Sequence, residues 1–233
     1  MYFGHFAVGM ALKAKYRDVP LFPILLGAGF LDVINGILVA VGIEKVSPNL
    51  QALPYLYFDL TFIDWDHSLL MALLWSLLWG AFFLKDKRIA LIAALSCFLH
   101  FIVDILVHNA DLALYPYAQQ YLGFGLWGKW GIGSWVFEMM FAGILLVYAY
   151  QQHLKNGERI FWQIAFIALL ALQMSPWTSP MKFVATLEQP YASIILGILV
   201  TLGFIVPSLI LGWLYKRSAK LSHSEVDLKL DNT

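Results

Sequence analysis

One cysteine, Cys97, is all the thiol chemistry in this 233-residue chain, so no disulfide can form within it. Charge is nearly as scarce. Only 13% of residues are charged and 61% are hydrophobic, against about 25% and 45–50% in a soluble domain. Such a chain cannot wrap its core in a polar surface, which excludes an ordinary water-soluble globule. Net charge is zero, and without a basic excess there is no electrostatic case for nucleic acid as a partner. No internal repeat is visible, so an inverted-repeat transporter gains no support. The start, "MYFGHFAVGMALKAKYR", reads as the reverse of a secretory leader, since its charges follow the apolar stretch instead of preceding it.

What the chain does have is long apolar runs and a mean hydropathy of +0.72. About 20 residues at ~1.5 Å each are needed to cross a bilayer. Six segments meet that need approximately: 20–43, 66–84, 88–109, 134–151, 159–175 and 191–215. The first twelve residues are too short to cross alone and read as an interfacial or half-inserted helix. The expected fold is therefore all-α, a polytopic membrane protein with six transmembrane helices. Residues 1–217 form one domain, and 218–233 a polar, disordered cytoplasmic tail.

The basic residues test this division. Lys13, Lys15, Arg17, Lys85, Lys87, Arg88, Lys155, Arg159, Lys216, Arg217, Lys220 and Lys229 fall on one side. Only Lys45, Lys129 and Lys182 fall on the other. The positive-inside rule then places both termini in the cytoplasm, as for a multi-pass protein of a bacterial inner membrane. Tyr55, Tyr57, Trp65, Tyr115, Trp127, Trp130 and Trp135 gather near the outer ends, where interfacial anchors belong. Two outer loops, 44–65 and 110–133, are long, aromatic and poor in charge. Loops of this kind fold back over a cavity mouth or lie in the headgroup layer.

Against this background "FLHFIVDILVHNAD", 98–111, stands out. Residues i, i+4 and i+8 of a helix share a face, so His100, Asp104 and His108 form a ladder on the third span. Ionisable groups in a membrane span face the bundle interior and take partners there. Asp32 and Asn35 in the first span, Asp66 and His67 opening the second, and Glu138 in the fourth are available. Counted from the inner ends, Asp32 and His100 lie about 18 Å deep, Glu138 about 20 Å, Asp104 about 24 Å and His67 about 27 Å. These depths agree within the error of span boundaries. His5 reaches only about 12 Å and joins only if its segment inserts more deeply. His108, Asn109 and Asp111 read as a solvated helix end, and His153 and His223 as surface residues.

Imidazole and carboxylate ligands four residues apart can hold one metal ion. Catalytic zinc takes three such ligands plus a water whose pKa falls to about 7. His100 with Asp104 is such a pair, His67 a third ligand and Asp32 a fourth or an orienting group. Glu138 or Asp66 would orient or deprotonate the water. The surplus carboxyls would also hold the second nitrogen of each bound imidazole. The plain alternative is a set of His–Asp pairs that only join helices.

Several stretches together, "GHFAVGMALK", "FLDVING", "DHSLLM" and "HFIVDILVHNADLALYP" followed by "GFGLW" and Glu138, resemble a group of bacterial membrane proteins. These look like a divergent branch of the LexA-regulated, membrane-bound, predicted metal-dependent hydrolases. The resemblance covers roughly residues 1–140. It implies metal-site roles for His5, Asp32, His67 with Ser68, and His100 with Asp104. Leu31, Ile34 and Phe62 stand where that family has Pro, a second Asp and a further His. Two expected ligands are thus absent, which points to a single-metal site over a two-metal one.

The expectation is a membrane-embedded hydrolase that uses a divalent metal, zinc by its ligand set, and opens to the outer face. Its substrate would be a lipid or another membrane-resident molecule carrying an ester, amide or phosphoester. A small permease or ion carrier using the same carboxyls and imidazoles, or a non-catalytic scaffold, are the rival readings. Other features need less. "GFGLWGKWGIG" follows no strand, so it reads as an aromatic outer loop that could cover the cluster, not as a phosphate loop. Ser68 suits a helix cap or a hydrogen bond to the site, Pro207 a kink, and Gln163 and Gln173 bonds across helices.

Overall fold

A computed structural model describes the backbone of residues 1–230 and the side chains of residues 1–218. In chain order the helices are α1 (Phe3–Lys15), α2 (Leu21–Ala28), α3 (Phe30–Ala40), α4 (Asp64–His67), α5 (Leu69–Ala81), α6 (Lys87–Val107), α7 (Leu126–Trp130), α8 (Ile132–Lys155), α9 (Phe161–Gln173), α10 (Met181–Val184) and α11 (Tyr191–Leu230). Strands β1 (Lys45–Pro48) and β2 (Phe58–Phe62) pair antiparallel between α3 and α4, with Val46 opposite Leu60 and Ser47 opposite Asp59.

Among the described residues three helices are long and apolar enough to cross a membrane: α6, α8, and α11 through Ser218. The pair α2 and α3 makes a fourth if taken as one span, bent by 50°. Helices α5 and α9 are apolar but have 13 residues each, a rise of about 20 Å against a hydrocarbon core of about 30 Å. All six expected segments fall on helices, yet only three to four have the length of a span. The expected straight first span is instead broken at Gly29. A Cβ there would collide with the ring of Phe204, so the break lets α11 approach closely.

Small residues allow the tightest helix crossing. A Cβ on Gly36 of α3 would strike the Gly197 carbonyl and Thr201 of α11, and one on Gly197 would strike the Gly36 carbonyl. Lipid offers no hydrophobic drive between apolar helices, so close backbone approach of this kind holds them. Hydrogen bonds close the ends. Asp86 caps α6, accepting from the N–H groups of Arg88 at 2.9 Å and Ile89 at 3.1 Å. Ser68 caps α5 through Met71 N–H at 3.4 Å, and Gln163 of α9 donates to Ser218 of α11 at 3.3 Å, both as expected.

The N-terminal segment differs from expectation. Instead of lying at an interface, α1 is buried on every side from Phe3 to Met10 and packs against α2 and α8. The polar tail also differs: α11 runs through Pro207 to Leu230 as one helix. His223, the other side chains after Ser218, and residues 231–233 lie outside the described residues. The aromatic belt is only partly where it was expected. Tyr55 and Tyr57 are each 3% exposed and Trp127 8%, so these three face the interior.

Candidate metal centre

The site begins with two local breaks. Where α2 stops at Ala28, its last carbonyls lack helical partners. The Ala28 carbonyl accepts from His100 Nδ1–H of α6 at 2.7 Å. The single turn of α4 ends at Ser68, whose extended backbone starts α5 afresh. This leaves Asp66 and His67 adjacent and pointing inward, with Asp66 Oδ2 2.7 Å from His67 Nδ1. A carbonyl cannot donate, so the His100 proton is on Nδ1, and the Asp66 carboxylate holds the His67 proton on Nδ1 in the same way. Each ring in its neutral form therefore presents an Nε2 lone pair. The two Nε2 atoms lie 3.2 Å apart.

Carboxylates surround that pair. Asp32 of α3 lies 3.7 Å from His67 Nε2 and 3.5 Å from His100 Nε2. Asp104 Oδ2 lies 3.6 Å from His67 Nε2 and 3.1 Å from His100 Nε2. Two more imidazoles complete the ring. His5 Nε2 of α1 is 3.2 Å from Asp104 Oδ1, and the His5 ring stacks on His100 at 3.7 Å. His108 Nε2 is 3.6 Å from Asp104 Oδ2, and its ring stacks on His67 at 5.7 Å. Asp104 Oδ1 also contacts the Met1 amino group. Asp104 Oδ2 receives no hydrogen bond among the described residues.

Three donor triads stand out among the described residues, each with its ligand atoms within 4.8 Å of one another: Asp32, His67 and His100; His5, His100 and Asp104; and His67, Asp104 and His108. By the distances above, His67, His100 and Asp104 meet the same limit. These buried groups could hold a metal ion. Asp32, His67, His100 and Asp104 gather as the sequence reading required, and His5, which it left short of them, joins. The short reach estimated for His5 came from letting its segment dip only partway in from the inner side. His108 was read as a solvated end, but it is 4% exposed and inside the cluster. The ladder spacing on α6 was its signal. The loop that buries it could not be read from spacing.

The two residues expected as bases have other partners. Glu138 of α8 accepts from Tyr2 N–H at 2.8 Å, Gly4 N–H at 3.0 Å and Tyr55 O–H at 2.6 Å. It thereby ties down the positive end of α1, the helix that carries His5, and belongs to none of the three triads. Asp66 orients His67. Behind Asp66 lies Glu44, which sequence gave no reason to notice. It is 2% exposed and accepts from Trp65 N–H at 2.7 Å. Burial and the nearby Asp66 carboxyl push Glu44 up to about 9. His153, expected at the surface, is 1% exposed and bonds Glu158 at 2.5 Å. Burial would raise the Glu158 carboxyl, but His153 and Arg17 bring it below its ordinary value.

A cavity of about 440 Å³ opens beside the cluster, with Asp32, His67 and His108 in its wall. Asp32 is the ligand candidate most open to it, its side chain 18% exposed. The glycine-rich loop folds onto the end of α6: Phe124 N–H donates to the Ile105 carbonyl and Gly125 N–H to the His108 carbonyl, each at 2.7 Å. It carries Trp127 to within 4.3 Å of the His108 ring and into the cavity wall.

No protein-family model, curated protein or solved structure matches this chain.

Proposed function

We propose that this protein is a membrane-embedded, metal-dependent hydrolase with one zinc-type centre at Asp32, His67 and His100, completed by Asp104 or by water. One observation carries the reading. His67 Nε2 and His100 Nε2 are 3.2 Å apart, and oxygens of Asp32 and Asp104 lie 3.1 to 3.7 Å from those two nitrogens. Ligands about 2.0–2.1 Å from a tetrahedral ion lie about 3.3–3.4 Å from each other. Both rings also have Nδ1 anchored, as metal-bound histidines do. The motif resemblance adds support, since it assigns His5, Asp32, His67, His100 and Asp104 to one site.

A divalent ion there would polarise a carbonyl or phosphoryl oxygen and acidify a bound water. The chain's own part is to fix the ligands, exclude bulk water and hold the His67 proton on Nδ1 through Asp66. Asp32 faces the cavity and is the carboxylate placed to take a proton from a nucleophile there. The substrate is a membrane-resident ester, amide or phosphoester. We assign both termini to the cytoplasmic side on the asymmetry of the basic residues, and the membrane to the bacterial inner membrane on the motif resemblance.

A cation or proton carrier is the second reading. The bend at Gly29 favours it, because broken helices with freed carbonyls near buried carboxylates serve ion sites in transporters. Reconstitution separates the two. Zinc-loaded proteoliposomes should release product from ester-, amide- or phosphoester-bearing lipids, and chelation or His67→Ala should abolish release. Ion or proton flux without any product would transfer the site to the carrier reading.

A further inference from the structure

We infer that the cavity beside the cluster is an acyl-chain slot, which takes one hydrocarbon tail sideways from the bilayer between α9 and α11 and brings its oxygenated end to Asp32 and His67. The inference deepens the proposed function and rests on it only for the fate of that oxygenated end.

Polarity is distributed unevenly around the cavity. Its carboxylate and imidazole members, Asp32, His67 and His108, all belong to the cluster, whereas the α9 and α11 walls are lined by groups such as Phe166, Leu170 and Leu196. A site for a water-soluble molecule of that size would distribute polar groups to fix its orientation. Here the charged and imidazole groups are confined to the cluster, and the other polar side chains of the lining are Tyr2, Asn35, Tyr55, Trp127 and Gln173.

The rim has the same chemistry. Leu202 and Val206 line the cavity and are also 48% and 44% exposed on the outside of α11. The cavity therefore reaches the lateral surface of a helix long and apolar enough to cross a membrane. That surface faces hydrocarbon, not water.

Length suits the occupant. Along α11 the lining runs from Leu196 to Ile210, about 21 Å at the rise of an α-helix. That exceeds one leaflet's hydrocarbon depth of about 15 Å, so an extended tail can lie along α11 with its end at the cluster.

Photo-crosslinking on the full chain tests the slot. A fatty acid and a diacyl phospholipid, each with a diazirine at the tail end, are offered to protein in liposomes, and the adducts are mapped by mass spectrometry. Labels should fall on buried Leu170, Leu196 and Phe204 at least tenfold above exposed Leu77 of α5 and Ile144 of α8. Leu199→Trp, which fills the slot, should cut that labelling at least fivefold, and so should Val206→Trp at the exposed rim. Bound metal should stay at the wild-type level in both variants. Labelling by the fatty acid alone would assign the slot to a free acid, and labelling by both probes to a lipid tail. Labels on Leu77 and Ile144 as dense as on the lining, or indifferent to both tryptophans, would overturn the slot. Metal binding without slot labelling would leave the hydrolase reading standing. Slot labelling on a metal-free protein would remove that reading and keep the slot.

Discussion

His67 Nε2 and His100 Nε2 face each other at 3.2 Å while both rings have Nδ1 bound elsewhere, one to Asp66 and one to the Ala28 carbonyl. In their neutral form two imidazoles held in this way would turn lone pair toward lone pair, with carboxylate oxygens on either side. Buried acceptors without a shared donor are costly, roughly 1–3 kcal/mol each. A cation at the centre converts that repulsion into ligation. The arrangement depends on two interruptions of regular helix, at Gly29 and at Ser68. A straight α2–α3 span would bind the Ala28 carbonyl within its own ladder and leave His100 free to take another tautomer.

Asp66 acts through His67. Asp66→Ala should weaken metal binding about 10- to 100-fold, the usual effect of losing the carboxylate behind a ligating histidine. Asp66→Asn, whose amide oxygen can still accept from Nδ1–H, should lose less. Competition with a fluorescent chelator measures both. Equal affinity in wild type and Asp66→Ala would contradict this role.

Glu138 is a positioning residue for α1. Glu138→Ala removes the acceptor of three hydrogen bonds and should lower stability by about 3 kcal/mol or more, as a hydrogen bond contributes about 1 kcal/mol net and more when its acceptor is charged. Glu138→Gln keeps an oxygen for the Tyr2 and Gly4 N–H groups and should lie between. Thermal unfolding in detergent reads the order. A general-base role predicts the opposite pattern: full stability in Glu138→Gln with activity abolished.

The crossing of α3 and α11 should tolerate no side chain. Gly36→Val and Gly197→Val each drive a branched side chain into the facing backbone, which cannot yield without separating the helices. Both should lose most folded protein on size-exclusion chromatography. Gly143→Ala, where an added Cβ meets nothing within 4 Å, should behave as wild type.

Glu44 sets a pH dependence of known sign. Its folded value, about 9, lies above the ordinary 4.5. The native state therefore keeps a proton that the unfolded chain gives up. This contribution to stability is fully present below pH 4.5, falls as pH rises and is gone above pH 9. Glu44→Gln should flatten the melting-temperature profile over that window. A profile rising from pH 5 to 9 in wild type, and unchanged in Glu44→Gln, would contradict the assignment.

Much of the site was legible because helix geometry is simple. The four-residue spacing of His100, Asp104 and His108 fixes one face of α6, and burial cost draws Asp32 and His67 toward it. What could not be read depended on tertiary closure. Hydropathy does not distinguish an interfacial or half-inserted helix from one buried on all sides, so His5 seemed too shallow. Helix-end position does not reveal that residues 123–127 fold back over His108. The lengths of α5 and α9 were overestimated because apolar turns next to a helix look like more helix.

Metal content decides the central claim. The tag-free protein, purified without chelator and analysed by elemental mass spectrometry, should carry about one divalent ion per chain. His67→Ala and His100→Ala should lose it while retaining their helical content. A folded wild-type protein that stays metal-free after equilibration with excess zinc would contradict the account.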